Sequence, residues 1–407
     1  MLTSVFTAVW FGVASLGATI PSADIQEQNE VFQRLWGTDF VWKFDELPAK
    51  GGVSEERIPY SGGIYLDKYG GTVSVLRKYD RAFHGGRMLA TGWEQWDTTA
   101  YQQPTTQRGG LFGRRQVTRM ATPNWHGHCN GWAAAAIRHA EPQQSVARNG
   151  VVFTPADVKG LLAELYIYND IQDLSGSSAN IQAGLLHAVL ANWIGRGSHP
   201  LGMEADPGPE KWNYPAFAYS SSSVRRSPRQ VEVKLNLVYA KESQGEYQES
   251  PRIQRTKYFH YALDLNAAGE ITGGQFYGDS SRIDMLWLPL LPKPAKQPGN
   301  ERGNPHVQVD TILAIWRDSV PAETRKLWLV ADPAPQDRVS DVVATRSLVP
   351  AAHAVVAPPE SSIAETAAVA PVDEDRPPTD ATLEAPERAD LADVQVPAET
   401  PERVQGN

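Results

Sequence analysis

Two segments in the middle of the chain carry apolar residues at the spacing of an amphipathic helix. Within Ser178–Trp193, apolar residues recur at every fourth position from residue 181 onward, which places them on one helical face. A second helix is predicted to begin after Thr154, because Thr154 is a favoured N-cap, Pro155 fits the first helical position and Asp157 follows in the first turn. The middle of the chain is therefore predicted to be helical.

In the downstream half of the chain, apolar residues recur with a different period. Val231–Tyr239 and Thr256–Leu265 alternate apolar and polar residues with a period of two, which is typical of half-buried β-strands. The second strand leads through the short connection at 266–269 into Glu270–Tyr277, a pattern that predicts a β-hairpin. Helices followed by an antiparallel sheet predict an α+β fold.

Three further assignments rest on local composition. The alternation in Gly70–Leu76 predicts a strand, and the many Pro and Gly residues in 199–212 predict an ordered surface loop. His187 lies between apolar neighbours on the predicted helix at 178–193. We therefore expect His187 to be a hydrogen-bonded core residue rather than a catalytic one.

The two ends of the chain differ in composition from the middle. Residues 1–18 form an uncharged apolar run that ends in small residues, which predicts a signal peptide over 1–23, with a core helix or a membrane anchor as alternatives. Ala, Pro, Val, Glu and Asp dominate residues 332–407, which predicts a disordered acidic tail. Residues 24–331 are then one folded domain of a secreted or periplasmic protein.

Charge and apolar content exclude several classes of protein. Residues 331–407 hold 15 acidic and 5 basic residues, a net charge of −10, and the whole chain has −9, so residues 1–330 are nearly neutral. The sequence contains no basic stripe of the kind that indicates nucleic-acid binding. Beyond the N-terminal run no stretch approaches the length of a membrane span, so we expect no stable membrane association once the signal peptide is removed.

The chain contains a single cysteine, Cys129, which follows a Gly-containing loop and precedes the alanines at 133–136. Since alanine is the strongest helix former, Cys129 is predicted to lie at a helix N-terminus, where unpaired N–H groups and the helix dipole lower a thiol pKa. This position favours a reactive thiolate over a small buried apolar residue, the alternative. Metal binding by His126, His128 and Cys129 is less favoured, because adjacent side chains do not easily reach one ion.

A thiol nucleophile needs a base and a group that orients the base. His260 lies on a predicted strand, and its separation from Cys129 along the chain falls in the range found in papain-like proteins; His199 is the second candidate. Asp279 is the nearest carboxylate after the hairpin and is the predicted orienting group, with Gln275 as a neutral alternative. Candidate oxyanion donors are the backbone N–H of Cys129 and the side chains of Asn124 and Trp125.

Four motifs are shared with a known family. They are the cysteine segment Trp125–Ala136 and the segments Glu210–Pro215, Tyr258–Gly274 and Asp284–Pro289. Together they resemble the transglutaminase elicitor family, the secreted calcium-dependent transglutaminases of oomycetes and their bacterial relatives. The resemblance implies a papain-like fold with a cysteine, histidine and acid site, and calcium as a cofactor, although the sequence has no Asp-x-Asp-x-Asp-Gly loop.

We therefore predict a secreted protein-glutamine γ-glutamyltransferase that forms glutamine–lysine isopeptide bonds. Cys129 would attack a glutamine carboxamide, His260 would transfer the protons, and Asp279 would orient His260. Its partners would be protein or peptide substrates that supply the glutamine and the amine. The alternatives are a cysteine hydrolase, either a protein-glutamine deamidase or a peptidase, and a non-catalytic secreted binding protein with a structural thiol.

Overall fold

The computed structural model describes residues 17–99, 105–107, 116–118, 121–244 and 246–328, of which 105–107 and 116–118 are described by their backbone alone. The predicted tail at 332–407 lies outside these residues, as do residues 1–16 of the predicted signal peptide.

Eight α-helices are described in these ranges. They are α1 (Ser22–Trp36), α2 (Val73–Phe83), α3 (Leu89–Thr98), α4 (Cys129–Arg138), α5 (Pro155–Tyr166), α6 (Ala183–Leu190), α7 (Val309–Ser319) and α8 (Ala322–Leu327). A π-helical segment, Ala191–Arg196, continues α6. Helix α5 begins as predicted, because Thr154 Oγ1 accepts the Asp157 N–H and the Asp157 carboxylate accepts the Thr154 N–H, which together form a capping box.

Thirteen strands are described in the same ranges. They are β1 (Ala18–Thr19), β2 (Lys50–Gly52), β3 (Thr105–Gln107), β4 (Gln116–Thr118), β5 (Val146–Arg148), β6 (Val151–Phe153), β7 (Ile171–Asp173), β8 (Leu201–Glu204), β9 (Asn213–Ser227), β10 (Gln230–Ala240), β11 (Gln254–Leu265), β12 (Ile271–Phe276) and β13 (Met285–Pro289). Nine of them form an antiparallel sheet in the order β1-β12-β11-β10-β9-β8-β13-β7, with β2 also paired to β9. Two small sheets, β3-β4 and β5-β6, complete the described set.

The described end of the predicted signal peptide belongs to the main sheet. Strand β1 pairs with β12, the Gly17 N–H donates to an Asp264 carboxylate oxygen at 2.8 Å, and Ile20 is buried. A cleavage after residue 23 would remove this edge strand, and the boundary at residue 23 stays a prediction. Among the described helices, none is long and apolar enough to cross a bilayer.

Helix α4 lies between two hydrophobic clusters. Trp132 and Ala136 belong to the cluster that the main sheet forms with α1 and α6, and Ala133–Ala135 belong to the cluster that includes α2, α5 and α7. Almost every residue of α4 is buried. Helix α5 approaches so closely that a Cβ added at Gly131 would lie 2.2 Å from the Ala163 carbonyl oxygen. The small side chains of α4 therefore allow it to be packed on both sides.

The predicted combination of helices and an antiparallel sheet is confirmed, including the hairpin of β11 and β12. The strand predicted at Gly70–Leu76 is wrong. Helix α2 begins at Val73, because the buried residues at 75, 76, 79 and 82 continue at helical spacing beyond the alternating segment. The loop predicted at 199–212 is also partly wrong, since it contains the fully buried strand β8.

The core role predicted for His187 is confirmed. Its Nδ1 lies 2.8 Å from the Tyr261 hydroxyl, and the side chain is buried on α6. Burial lowers the pKa of His187 to about 4. The folded protein therefore holds this imidazole in its neutral form at neutral pH.

The low pKa of His187 predicts a loss of stability in acid. The pKa in the unfolded chain is about 6.5, so the stabilising contribution is complete above that pH and is lost as the pH falls towards 4. The difference corresponds to about 3 kcal/mol in the free energy of unfolding. Urea unfolding between pH 7 and pH 4 should show a shallower pH dependence for His187→Gln than for the natural protein, and parallel curves would contradict this assignment.

Candidate active site

Cys129 is the first residue of α4, at the end of the loop that enters the helix. Its side chain is almost fully buried. The thiol donates to the backbone carbonyl of Lys211 at 3.4 Å, and the Asn213 side-chain amide donates to Sγ at 3.9 Å. Neither of these partners of the sulfur is a histidine.

Asn213 is held in place by a tryptophan from another strand. The Trp287 indole N–H donates to the Asn213 side-chain oxygen at 2.9 Å, which turns the amide nitrogen of Asn213 towards the sulfur. The indole lies directly over β8 at Gly202, where an added Cβ would be 2.1 Å from a ring carbon. A glycine is therefore needed at residue 202 for Trp287 to support Asn213.

An ion-pair cluster fixes the residues just before Asn213. The Lys211 ammonium pairs with Glu204 of β8 at 2.7 Å and with Asp284, which immediately precedes β13. These pairs hold the start of β9 against two neighbouring segments. The Lys211 carbonyl, which accepts from the thiol, is positioned as a result.

Three of the four family-like motifs meet at this site. Cys129 comes from the cysteine segment, Lys211 and Asn213 from the second segment, and Asp284 and Trp287 from the fourth. Neither Asn213 nor Trp287 has a role predicted from the sequence. Their presence in shared motifs was the available signal.

The environment of Cys129 changes the expected acidity of its thiol. Burial raises the pKa of Cys129 above its usual value, while the backbone and side-chain N–H groups of Asn213 and the N–H of Asn130 act in the opposite direction. The predicted lowering of this pKa is wrong in this structure, because the loss of hydration outweighs the donors at the start of the helix.

The structure brings His260 and Asp279 together as predicted. The Nδ1 atom of His260 lies 3.0 Å from a carboxylate oxygen of Asp279, and its Nε2 lies 3.0 Å from Glu232. The alternative orienting group, Gln275, is instead paired across the sheet with Ala262. His260 is therefore held between two carboxylates.

The predicted pairing of Cys129 with His260 is not formed. Asn213, which contacts the sulfur, begins β9, whereas His260 lies across from Lys234 of β10, and Lys234 lies across from Ser222. The stretch of strand from 213 to 222 spans roughly 30 Å. The separation of Cys129 and His260 in sequence suits a papain-like pair, but the long strands carry His260 along the sheet and away from the helix start.

His199, the second candidate base, lies in a different environment from His260. The His199 Nδ1 lies 2.6 Å from the Pro200 carbonyl, and its ring packs edge-on against Trp36 and Trp193. These contacts place it beside α1 and the π-helical segment. We assign no catalytic role to His199.

His128 lies immediately before Cys129 and is buried among carboxylates. Its Nε2 lies 3.2 Å from Glu164 and 3.4 Å from Glu94. Burial lowers the pKa of His128, but Glu94 and Glu164 outweigh that effect and raise it to about 9. The ring thus faces α3 and α5, and the set of His126, His128 and Cys129 is not assembled around it.

Within the described residues, Glu94, His128 and Glu164 form the one cluster of His, Cys, Asp and Glu side chains whose ligand atoms converge. Calcium prefers roughly six to eight oxygen ligands. The cluster offers an imidazole nitrogen and two carboxylates, so it does not fit calcium. Calcium binding stays a prediction.

Residues 105–179, which contain the cysteine loop, α4 and α5, match the family described as transglutaminase elicitor. The predicted family resemblance is thereby confirmed. The fold of this chain is similar to the crystal structure of the GP42 transglutaminase from Phytophthora sojae, with a TM-score of 0.57 and 20% sequence identity over 74% of this chain and 99% of that chain. At this identity the likeness shows the fold alone. No curated protein matches the chain significantly.

The transglutaminase elicitor segment contains only part of the site. Cys129, His128 and Glu164 lie within residues 105–179, whereas Asn213 and Trp287 follow it in the chain. The strands of the main sheet therefore complete the surroundings of the thiol.

Proposed function

We propose that this protein is a thiol-dependent acyltransferase of the transglutaminase type, acting on glutamine side chains of protein or peptide substrates. The observation that carries the proposal is the convergence of three family-like motifs on Cys129, with Asn213 donating to its sulfur. The similar GP42 structure is that of a transglutaminase. We further propose that the protein acts outside the cytoplasm, as its predicted signal peptide indicates.

The chemistry follows from the groups around the sulfur. Sγ forms a bond to the glutamine carboxamide carbon, and the carbonyl oxygen becomes an oxyanion that the Asn213 amide and the N–H groups at the start of α4 stabilise. The carbon–nitrogen bond then breaks, and ammonia leaves with the proton that the thiol has lost. A primary amine attacks the resulting thioester, the carbon–sulfur bond breaks, and the proton lost by the amine restores the thiol.

The direct test is incorporation of a fluorescent primary amine into a glutamine-rich acceptor protein by the full chain. Ammonia release and the effect of added calcium are recorded in the same samples. Amine incorporation with one ammonia released for each amine added supports the transferase. Ammonia release without incorporation identifies a deamidase, and absence of both products contradicts the proposal.

A non-catalytic role for the same fold is the second candidate. It is favoured by the burial of the thiol, by the raised pKa of Cys129 and by the distance to His260. A structural thiol should react slowly with iodoacetamide at neutral pH, and a saturating glutamine peptide should not change the rate. Protection of Cys129 by such a peptide, or rapid labelling, supports the acyltransferase instead.

Replacement of Asn213 by alanine is expected to lower the turnover number for amine incorporation by about 10²-fold, the usual effect of removing one oxyanion donor. It removes the side-chain N–H that faces the sulfur. Trp287→Phe, which removes the N–H that orients Asn213, should give a smaller loss in the same direction. Equal activity in Asn213→Ala and the natural protein would show that Asn213 does not serve as a donor.

A further inference from the structure

A second group of ionisable side chains surrounds His128, the residue that precedes the proposed nucleophile Cys129. This group takes no part in the proposed chemistry. Glu94 projects from α3, His128 precedes α4, and Glu164 projects from α5. The three side chains are each at most 1% exposed. The cluster therefore joins three helices in a place without access to bulk water.

Two distances within this cluster match the spacing of ligands around one metal ion. Nε2 of His128 is 3.4 Å from Oε1 of Glu94 and 3.2 Å from Oε2 of Glu164, and ligand atoms of all three residues lie within 4.8 Å of one another. Donor atoms at about 2.0–2.1 Å from a tetrahedral ion are separated by about 3.3 Å. Both carboxylates approach the same ring nitrogen at this separation.

Hydrogen bonding alone leaves the cluster incomplete. A single ring nitrogen carries one proton, which cannot make good hydrogen bonds to two carboxylates at once. The second oxygen of Glu94, Oε2, is buried without a hydrogen-bond partner. Buried polar atoms usually have partners, and a cation between the three side chains would supply one for this carboxylate.

The surrounding residues fix both carboxylates by hydrogen bonds. The Thr72 hydroxyl donates to Oε2 of Glu164 at 2.7 Å, and the Asn304 amide donates to Oε1 of Glu164 at 2.9 Å. The Thr72 N–H also donates to Oε1 of Glu94 at 3.0 Å. Metal-binding carboxylates are normally fixed by such outer hydrogen bonds.

We propose that Glu94, His128 and Glu164 bind one divalent transition-metal ion of the zinc class. Two carboxylates and one neutral imidazole would balance the charge of such an ion, and nitrogen with carboxylate oxygen is a donor set that zinc accepts. The ion would fix the loop that leads into Cys129. Its nitrogen donor distinguishes this site from one for calcium, the cofactor implied by the family resemblance, which takes oxygen ligands.

The test measures metal content rather than activity. The full chain is dialysed against a chelator, equilibrated with zinc chloride, passed through a desalting column and analysed for zinc. About one zinc per chain is expected for the natural protein, and a clearly lower content is expected for Glu94→Gln and for Glu164→Gln. A natural protein that retains no zinc overturns the proposal, as does full zinc content in both variants.

Two controls identify the site. His260→Gln removes a histidine that also lies between two carboxylates, but those carboxylates face opposite ring nitrogens and cannot share one ion, so its zinc content should be unchanged. Cys129→Ala should retain zinc, and loss of zinc in that variant would overturn the proposal. Should both glutamine variants fail to fold, cobalt added to the natural protein decides the question. An absorption spectrum typical of nitrogen and oxygen ligands supports the site, and a thiolate-to-cobalt band or no spectrum rejects it.

Discussion

Cys129→Ala is expected to lower the rate of amine incorporation by about 10³-fold or more, as removal of an essential nucleophile does in other enzymes. The substitution removes the sulfur that contacts Lys211 and Asn213, and no second cysteine is present in the chain to replace it. Since alanine is smaller than cysteine and suits a helix, the fold should persist. Initial rates of fluorescent amine incorporation, with circular dichroism to check folding, provide the measurement.

His260→Gln is the informative comparison for Cys129→Ala. Because the strand register places His260 far from the thiol, this variant should retain the rate of the natural protein. A loss as large as that of Cys129→Ala would mean that the protein rearranges to bring the histidine to the thiol during turnover. Retained activity in Cys129→Ala itself would remove the thiol from the mechanism altogether.

Gly131→Ala is expected to lower the free energy of unfolding by about 3 kcal/mol, at the upper end of the cost of overpacking. The added methyl group would lie 2.2 Å from the Ala163 carbonyl oxygen, and this neighbour is backbone that cannot rotate away. Helices α4 and α5 would have to separate. Urea or thermal unfolding of the purified variant measures the change.

Gly92→Ala provides a matched control for Gly131→Ala. Gly92 also lies within a helix, α3, but nothing lies within 4 Å of an added Cβ there. The same substitution should therefore stabilise the protein by about 0.5–1 kcal/mol through helix propensity. A destabilisation of equal size in both variants would show that the close approach of α4 and α5 is not the cause.

Local patterns predicted the elements of this fold well, because those patterns depend on neighbouring residues. The cap at Thr154, the alanine-rich middle of α4 and the hairpin of β11 and β12 all follow from short-range chemistry. The alternation at Gly70–Leu76 was misleading, because so short a run of β-branched and apolar residues fits the first turns of a buried helix as well as a strand.

The residues that surround the thiol were harder to predict from the sequence. The separation of Cys129 and His260 along the chain says nothing about how far a strand extends before a given residue, and β9 and β11 are 15 and 12 residues long. Asn213 and Trp287 carry amide and indole groups, which do not ionise near neutral pH. A search for catalytic acids, bases and nucleophiles therefore does not select them. Their contacts around the thiol become apparent only from the structure.

The surroundings of the thiol are drawn from widely separated parts of the chain. Asn213 is 84 residues from Cys129, and Trp287 is a further 74 residues away. Contacts with such separations form late in folding, because much chain entropy must be lost before they are made. A nascent chain that ends before β13 has α4 and its cysteine but lacks the indole that orients Asn213. The surroundings of the thiol are thus complete only when translation has passed Trp287 and the main sheet has formed.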